Sequence, residues 1–274
     1  MKKLKSVIAV IVCAALVSAA GVYLYGQRQQ ERSKEAVVQT EKKEMPIKQA
    51  TYILEDVIHV EPGEIIEPKH IDEENPKRYF TAHKISDVVF KTINGKSYTE
   101  NDNIGLEELR YLKVLHYNYD HQIQVGELIV NKVIAEDCLQ IFQELFAEEY
   151  EIYSMYLMDK FWVGNGVDSD TKSIENNNTS AFNYRVVPGS THLSNHAKGR
   201  AIDLNPLQNP YVTYKSDGTF GKYYKDMEKY LNRNSGKEHM ITHKDTAYKI
   251  FKKYGFTWGG DWVNSKDYQH FEKK

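Results

Sequence analysis

Hydrophobic and polar positions divide the chain into stretches of different character. From Ser6 to Gly26 no charged residue interrupts a run rich in Val, Ile, Ala and Leu. Residues 27–50 are polar and charged, with few large apolar side chains, and read as a solvated linker. Residues 51–84 carry short apolar runs such as Tyr52-Ile53-Leu54, broken by Pro62, Pro68 and Pro76. They read as a flanking segment to which no role is assigned. From about residue 85 the pattern is that of an α+β domain, 85–274. Leu112 to Tyr117 and Gln122 to Val130 read as two strands joined near Asp120-His121. Asn131 then reads as the N-cap of an amphipathic helix, because Val133, Ile134, Cys138, Leu139, Ile141, Phe142, Leu145 and Phe146 recur at helical spacing. Glu151 to Leu157 alternates like a strand. Thr242 to Asp245 resembles a capping box; Ala247, Ile250, Phe251 and Tyr254 follow on one face, with Gly255 at C′. Tyr268 to Phe271 is again strand-like. The expected fold is a small antiparallel sheet with flanking helices.

Charge places the apolar N-terminal run. Lys2, Lys3 and Lys5 precede it, which is the layout of an export signal. Two readings of residues 1–26 stand side by side. A cleaved signal peptide would use the small residues around Val17-Ser18-Ala19. An uncleaved membrane anchor, the preferred reading, would use the whole run, with Tyr23 and Tyr25 at the outer interface. Both put the remaining chain outside the cytoplasmic membrane, anchored to it or secreted to the cell wall. Over 274 residues the formal net charge is −2, and no Lys/Arg stripe argues for nucleic acid. Cys13 falls in the apolar run and Cys138 in the amphipathic helix. No Cys-rich cage is available, so any metal must be held by His and carboxylate.

Two segments carry candidate chemistry. In Ser194-Asn195-His196-Ala197-Lys198-Gly199-Arg200-Ala201-Ile202-Asp203, a strand reading puts Gly199, Ala201 and Asp203 on one face. Asp203 would have room beside two small residues, and His196 could fold back towards it. A zinc ion takes N and O donors and, where catalytic, keeps one position open, so a third ligand must come from elsewhere. The second segment, Trp258-Gly259-Gly260-Asp261-Trp262 to Asp267-Tyr268-Gln269-His270-Phe271, offers His270. Asp267, three residues earlier, is placed to take a proton from the attacking water and pass it to a leaving amine. Asp261 is the rival base and reads as a turn residue. Trp258 and Trp262 would wall the cleft or pack the core, and the twin glycines would let the backbone turn. The pairs His192/His196 and His239/His243 compete at i,i+4 spacing, but neither has the Glu of a helical His-Glu-x-x-His site. Gly164 to Asn178 reads as a polar rim or loop.

Taken together, Ser-x-His-x-x-Gly-x-Ala-x-Asp, Trp-Gly-Gly-Asp-Trp and Asp-x-x-His-Phe resemble the zinc peptidases that comprise D-alanyl-D-alanine carboxypeptidases and L-alanyl-D-glutamate endopeptidases. The resemblance extends upstream over Asn178 to Arg185. It implies one Zn²⁺ on His196, Asp203 and His270 in a cleft on the sheet, a general base at Asp267 and an oxyanion-stabilising Arg185. It also implies peptidoglycan stem peptides as substrate. A strand reading of 182–185 agrees, since Asn183 and Arg185 share a face opposite Phe182 and Tyr184. Ser194 matches the family serine and would support a ligand, contact substrate or serve a turn. Many carboxypeptidases place Glu two residues before a Trp-His pair. Asp267-Tyr268-Gln269-His270 departs from that and resembles the endopeptidases, which sets the expected activity. A carboxypeptidase with the same metal site, and a wall-binding or sensor domain without catalysis, are the alternatives.

Overall fold

Two nine-residue strands, β3 (Leu109–Tyr117) and β4 (Ile123–Asn131), form an antiparallel hairpin with Leu109 opposite Asn131 and Tyr117 opposite Ile123. The computed structural model describes Gln27, residues 52–222 and residues 225–274, and Tyr52–Lys274 form one unit. The apolar segment 1–26 and, Gln27 apart, the polar linker lie outside the described residues. Among the described residues no helix is long and apolar enough to cross a membrane. The hairpin is wider than the sequence indicates. β1 (Ile65–Ile66) pairs with β4 and β2 (Thr81–His83) pairs with β3, giving the order β1-β4-β3-β2. The proline-broken stretch before residue 85 thus supplies both edges of this sheet, where short strands suit edge positions.

Both faces of the sheet are covered. Leu112, Val114, Leu128 and Val130 pack with Cys138, Ile141, Phe142 and Leu145 of helix α2 (Ala135–Ala147). Tyr111 and Ile129 face the other way, onto Ile93, Tyr98, Leu157 and Phe182. Ile93 ends helix α1 (Asp87–Ile93), whose N-cap Ser86 accepts from the Val89 amide. Helix α2 begins later than the sequence indicates. Asn131 closes β4 and its Oδ1 accepts from the Val133 amide, while Ile134 occupies the N-cap without a side-chain bond. Glu151 to Leu157 shortens to β5 (Ser154–Met155), parallel to β6 (Asn178–Thr179). The polar 164–178 stretch is not a loop. It holds helix α3 (Gly166–Glu175), capped by Asn165 on the Val167 and Asp168 amides.

The C-terminal third builds two further antiparallel sheets. β7 (Ala201–Asp203), β11 (His270–Glu272) and β9 (Thr257–Trp258) lie in the order β7-β11-β9. β8 (Tyr211–Thr213) pairs with β10 (Ser265–Asp267). Helix α4 (Thr246–Lys253) buries Ala247, Ile250 and Phe251, and Gly255 follows at φ 80° as C′ demands. Its cap is Asp245, accepting from Ala247, rather than Thr242, whose hydroxyl accepts from Lys244.

Candidate metal centre

The register of β7 against β11 creates the site. Asp203 lies directly opposite His270, Ile202 opposite Phe271 and Ala201 opposite Glu272. Ile202 and Phe271 are fully buried in the core, so alternation sends Asp203 and His270 together to the other face. His196 arrives from the 3-10 turn His196–Lys198 just before β7. Gly199 ends that turn at φ 64°, and a Cβ there would lie 2.7 Å from the Asn131 amide nitrogen. Asn131 also donates from its backbone to the Gly199 carbonyl and from its side chain to the Lys198 carbonyl. The end of β4 therefore pins the turn that carries His196.

His196 Nε2 lies 3.2 Å from Asp203 Oδ2 and 3.2 Å from His270 Nδ1, and His270 Nδ1 lies 3.0 Å from Asp203 Oδ1. All three residues are buried. Four donors at tetrahedral zinc distances stand about 3.3–3.6 Å apart, so this triangle is close to one face of such a shell. The outer ring nitrogens are also satisfied. His196 Nδ1 donates to the Ala181 carbonyl at 2.6 Å, and His270 Nε2 donates to Glu272 Oε2 at 3.0 Å. Each imidazole is thereby fixed with its other nitrogen aimed at the shared point, the arrangement that orients metal-ligating histidines.

Charge favours a cation there. Burial alone would lower the pKa of His270, yet its hydrogen bonds to Asp203 and Glu272 and the charges of Asp203 and Asp267 hold it at about 10. Burial would raise Asp203, and His196 and His270 outweigh it, leaving it well below the usual carboxylate range. Asp267 is pushed up to about 7 by burial and then by Asp203. Its Oδ1 is buried and has no hydrogen-bond partner. Three carboxylates around two imidazoles make a cluster short of positive charge, and the donor set of two nitrogens and an oxygen fits zinc.

Residues 188–273 match the family model described as D-alanyl-D-alanine carboxypeptidase. The match supports the family that the motifs resemble. His196, Asp203, Asp267 and His270 all lie inside the matched span. No curated protein and no solved structure matches the chain. The D-alanyl-D-alanine carboxypeptidase match supports a peptidase acting on peptidoglycan and does not separate an endopeptidase from a carboxypeptidase.

Asn178 to Arg185, which extends the resemblance upstream, falls before the matched residues. Residues 181–185 form no strand, yet the two faces separate as expected. A Cβ on Gly166 would meet both Arg185 Cβ and Asn183 Oδ1 at 3.0 Å, while Phe182 and Tyr184 pack on the opposite apolar cluster. The Arg185 guanidinium donates to Asp170 Oδ2 at 2.7 Å, and Asp170 was not foreseen. Its backbone carbonyl accepts from the Ser194 amide. Ser194 itself is buried and its Oγ accepts from the His196 amide at 3.2 Å, the turn role. The tryptophans separate. The Trp262 ring stands 5.3 Å from the His270 ring, beside the centre. Trp258 is 3 % exposed, donates to the Tyr268 carbonyl and stacks on Phe271, which is core packing.

The competing groups lie elsewhere. Asp261 is exposed and accepts from His243 Nε2 at 2.7 Å. His192 is exposed in a turn, and His239 stacks on Tyr119. The twin glycines serve space rather than turning. Neither has a left-handed φ, but a Cβ on Gly259 would lie 2.5 Å from the Asp267 carbonyl oxygen, and one on Gly260 2.4 Å from the Trp258 ring. Sequence reasoning missed Glu272. The signal was its i+2 position from His270 on one strand face.

Proposed function

We propose that this protein is a zinc peptidase that hydrolyses peptidoglycan stem peptides, most readily as an L-alanyl-D-glutamate endopeptidase. The convergence of His196, Asp203 and His270 beside the unpartnered Asp267 Oδ1 carries this reading. The three would hold the ion through two ring nitrogens and a carboxylate oxygen. When bound, zinc supplies Lewis acidity towards a carbonyl and lowers the pKa of a water. Asp267 accepts the proton of the attacking water and delivers it to the leaving amine. Glu272 and the Ala181 carbonyl keep both imidazoles in the ligating orientation. Arg185, braced by Asp170, supplies a fixed cation for the charge that grows on the attacked carbonyl oxygen. Trp262 limits water beside His270. The lysine-first apolar segment directs the domain outside the cytoplasmic membrane, anchored to it or secreted to the cell wall.

The endopeptidase assignment rests on Asp267-x-x-His270. The description of the matched family favours a second reading, removal of a terminal D-alanine. Digestion of purified wall by the zinc-loaded full chain, followed by mass spectrometry, decides between them. A newly freed amino group on D-Glu identifies the endopeptidase, and loss of terminal D-Ala the carboxypeptidase. Asp267→Ala is expected to retain the metal while turnover falls by about 10²–10⁴-fold. His270→Ala should lose both. Retained zinc with no cleavage of any stem peptide overturns the peptidase reading in favour of a wall-binding domain.

A further inference from the structure

A concavity of about 740 Å³, lined by none of the metal ligands, lies between the β3–β4 turn, the residues around β5 and the chain after β7. Tyr119, Tyr153, Tyr156 and Phe161 give it aromatic walls. Asn118, Asn177 and Gln208 set amides among those rings. Gln208 is 7 % exposed, and its Oε1 is buried with no hydrogen-bond partner. A buried amide oxygen left unpaired is costly, and a ligand hydroxyl or N–H would satisfy it. Charge is sparse and mixed: Asp120 and Glu175 line the cavity with Lys160, whose Nζ lies 3.1 Å over the Tyr156 ring. That balance suits neither a polyanion nor a purely apolar ligand.

Part of the wall follows the left-handed end of α3. Among the described residues five non-glycines have left-handed φ: His121, Glu149, Asn177, Asn205 and His239, at 47–61°. Asn177 lines this cavity, Asn205 and His239 contact residues of its wall, and Glu149 borders a different hollow just past the end of α2. The Asn177 Oδ1 accepts from the Leu207 amide. The Asn205 side chain accepts from the Tyr153 amide and donates to the Glu151 carbonyl. His239 stacks on Tyr119 at 3.7 Å between centroids. His121 lies two residues beyond Tyr119, between Glu149 at 3.3 Å and Glu151 at 3.1 Å.

Aromatic faces bracketed by amides match a saccharide. Ring C–H faces pack on tyrosine, and hydroxyl and acetamide groups pair with amides that both donate and accept. We propose that this cavity is a subsite for the amino-sugar chain from which a stem peptide hangs. The inference rests on the peptidoglycan reading of the metal centre and adds a second point of contact to it. Asp203 and Gln208 are five residues apart, at most about 18 Å in extended chain. A sugar seated here therefore stays within reach of the metal through its own peptide.

The test uses calorimetric titration of the full chain with glycan strands stripped of stem peptides, and separately with free stem peptide. Saturable glycan binding is expected, weakened at least tenfold in Tyr153→Ala and in Gln208→Ala. Tyr153 is 49 % exposed, so its truncation leaves the fold intact and keeps the result readable if Gln208→Ala destabilises the chain. No glycan binding by the wild type overturns the subsite, as does equal binding by the folded Tyr153→Ala chain. Free stem peptide whose affinity depends on Tyr153, without any for stripped glycan, also overturns it. None of these readouts needs turnover. A chain that binds glycan yet cuts nothing sinks the peptidase reading and leaves the subsite standing.

Discussion

Glu272 stands one strand repeat beyond His270, and the alternation that buries Phe271 between them returns its carboxylate to the imidazole. The hydrogen bond to His270 holds the Glu272 carboxyl down at about 2, so it stays an acceptor across the physiological range. Removing that acceptor frees the ring to rotate and lowers its basicity. Glu272→Ala should therefore weaken zinc affinity by about 10–100-fold, read by competition with a chelator. Glu272→Gln, which keeps a carbonyl oxygen at the same reach, should lose less. An affinity unchanged in both would remove Glu272 from the centre. The ligands themselves were legible through the motifs that carry the family resemblance, and the small Ala201 two residues before Asp203 agrees with it, whereas Asp267 and His270 belong to different strands, β10 and β11. Glu272 was not, since a glutamate followed by Lys273-Lys274 near the chain end has the composition of a solvated tail.

Elements show the same division between patterned and unpatterned chain. β3, β4 and α2 were visible because each buries a regular row of large apolar residues. Helix α3 was not, for it buries only Ser169, Ser173 and Ile174 and has no apolar stripe to read. The capping positions slipped because Asn131 and Thr242 satisfy amides two residues ahead, a local bond that sequence spacing does not separate from a true cap. Close approach is equally invisible, and Gly259 is the sharpest instance. It opens the 3-10 turn Gly259–Asp261, and a Cβ there would lie 2.8 Å from Asp267 Cβ and 3.2 Å from His270 Cβ. Backbone, not a flexible side-chain end, is among the atoms it would strike. Gly259→Ala should push β10 and β11 off this turn, costing about 1–3 kcal/mol of stability and at least tenfold in wall digestion. Gly105→Ala, with open space around it, is the control. Equal activity in the two variants would show that the turn does not set the spacing of base and ligand.

At the scale of the whole molecule, a neutral imidazole inside the main sheet links folding to pH. His116 on β3 is 2 % exposed, packed by Gly126 and Met155, with its Nε2 buried and unpartnered. Burial drives its pKa down to about 4, against 6.5 for the free group, and the weak bond to the Tyr117 carbonyl does not offset it. Between those values the unfolded chain binds the proton and the folded chain does not. The stability tied to His116 is thus complete above about pH 6.5 and is lost as pH falls towards 4. From pH 7 to pH 5 the loss is about 2 kcal/mol, taking 1.36 kcal/mol per pKa unit. His116→Leu removes the titrating group while keeping an apolar side chain in the sheet. Urea unfolding of both chains with a chelator present cancels the metal-centre histidines, which titrate alike in each. The variant should lose less stability than the wild type over that interval, by that same amount. Parallel pH curves for the two chains would mean that His116 is already charged, or already solvated, in the folded sheet.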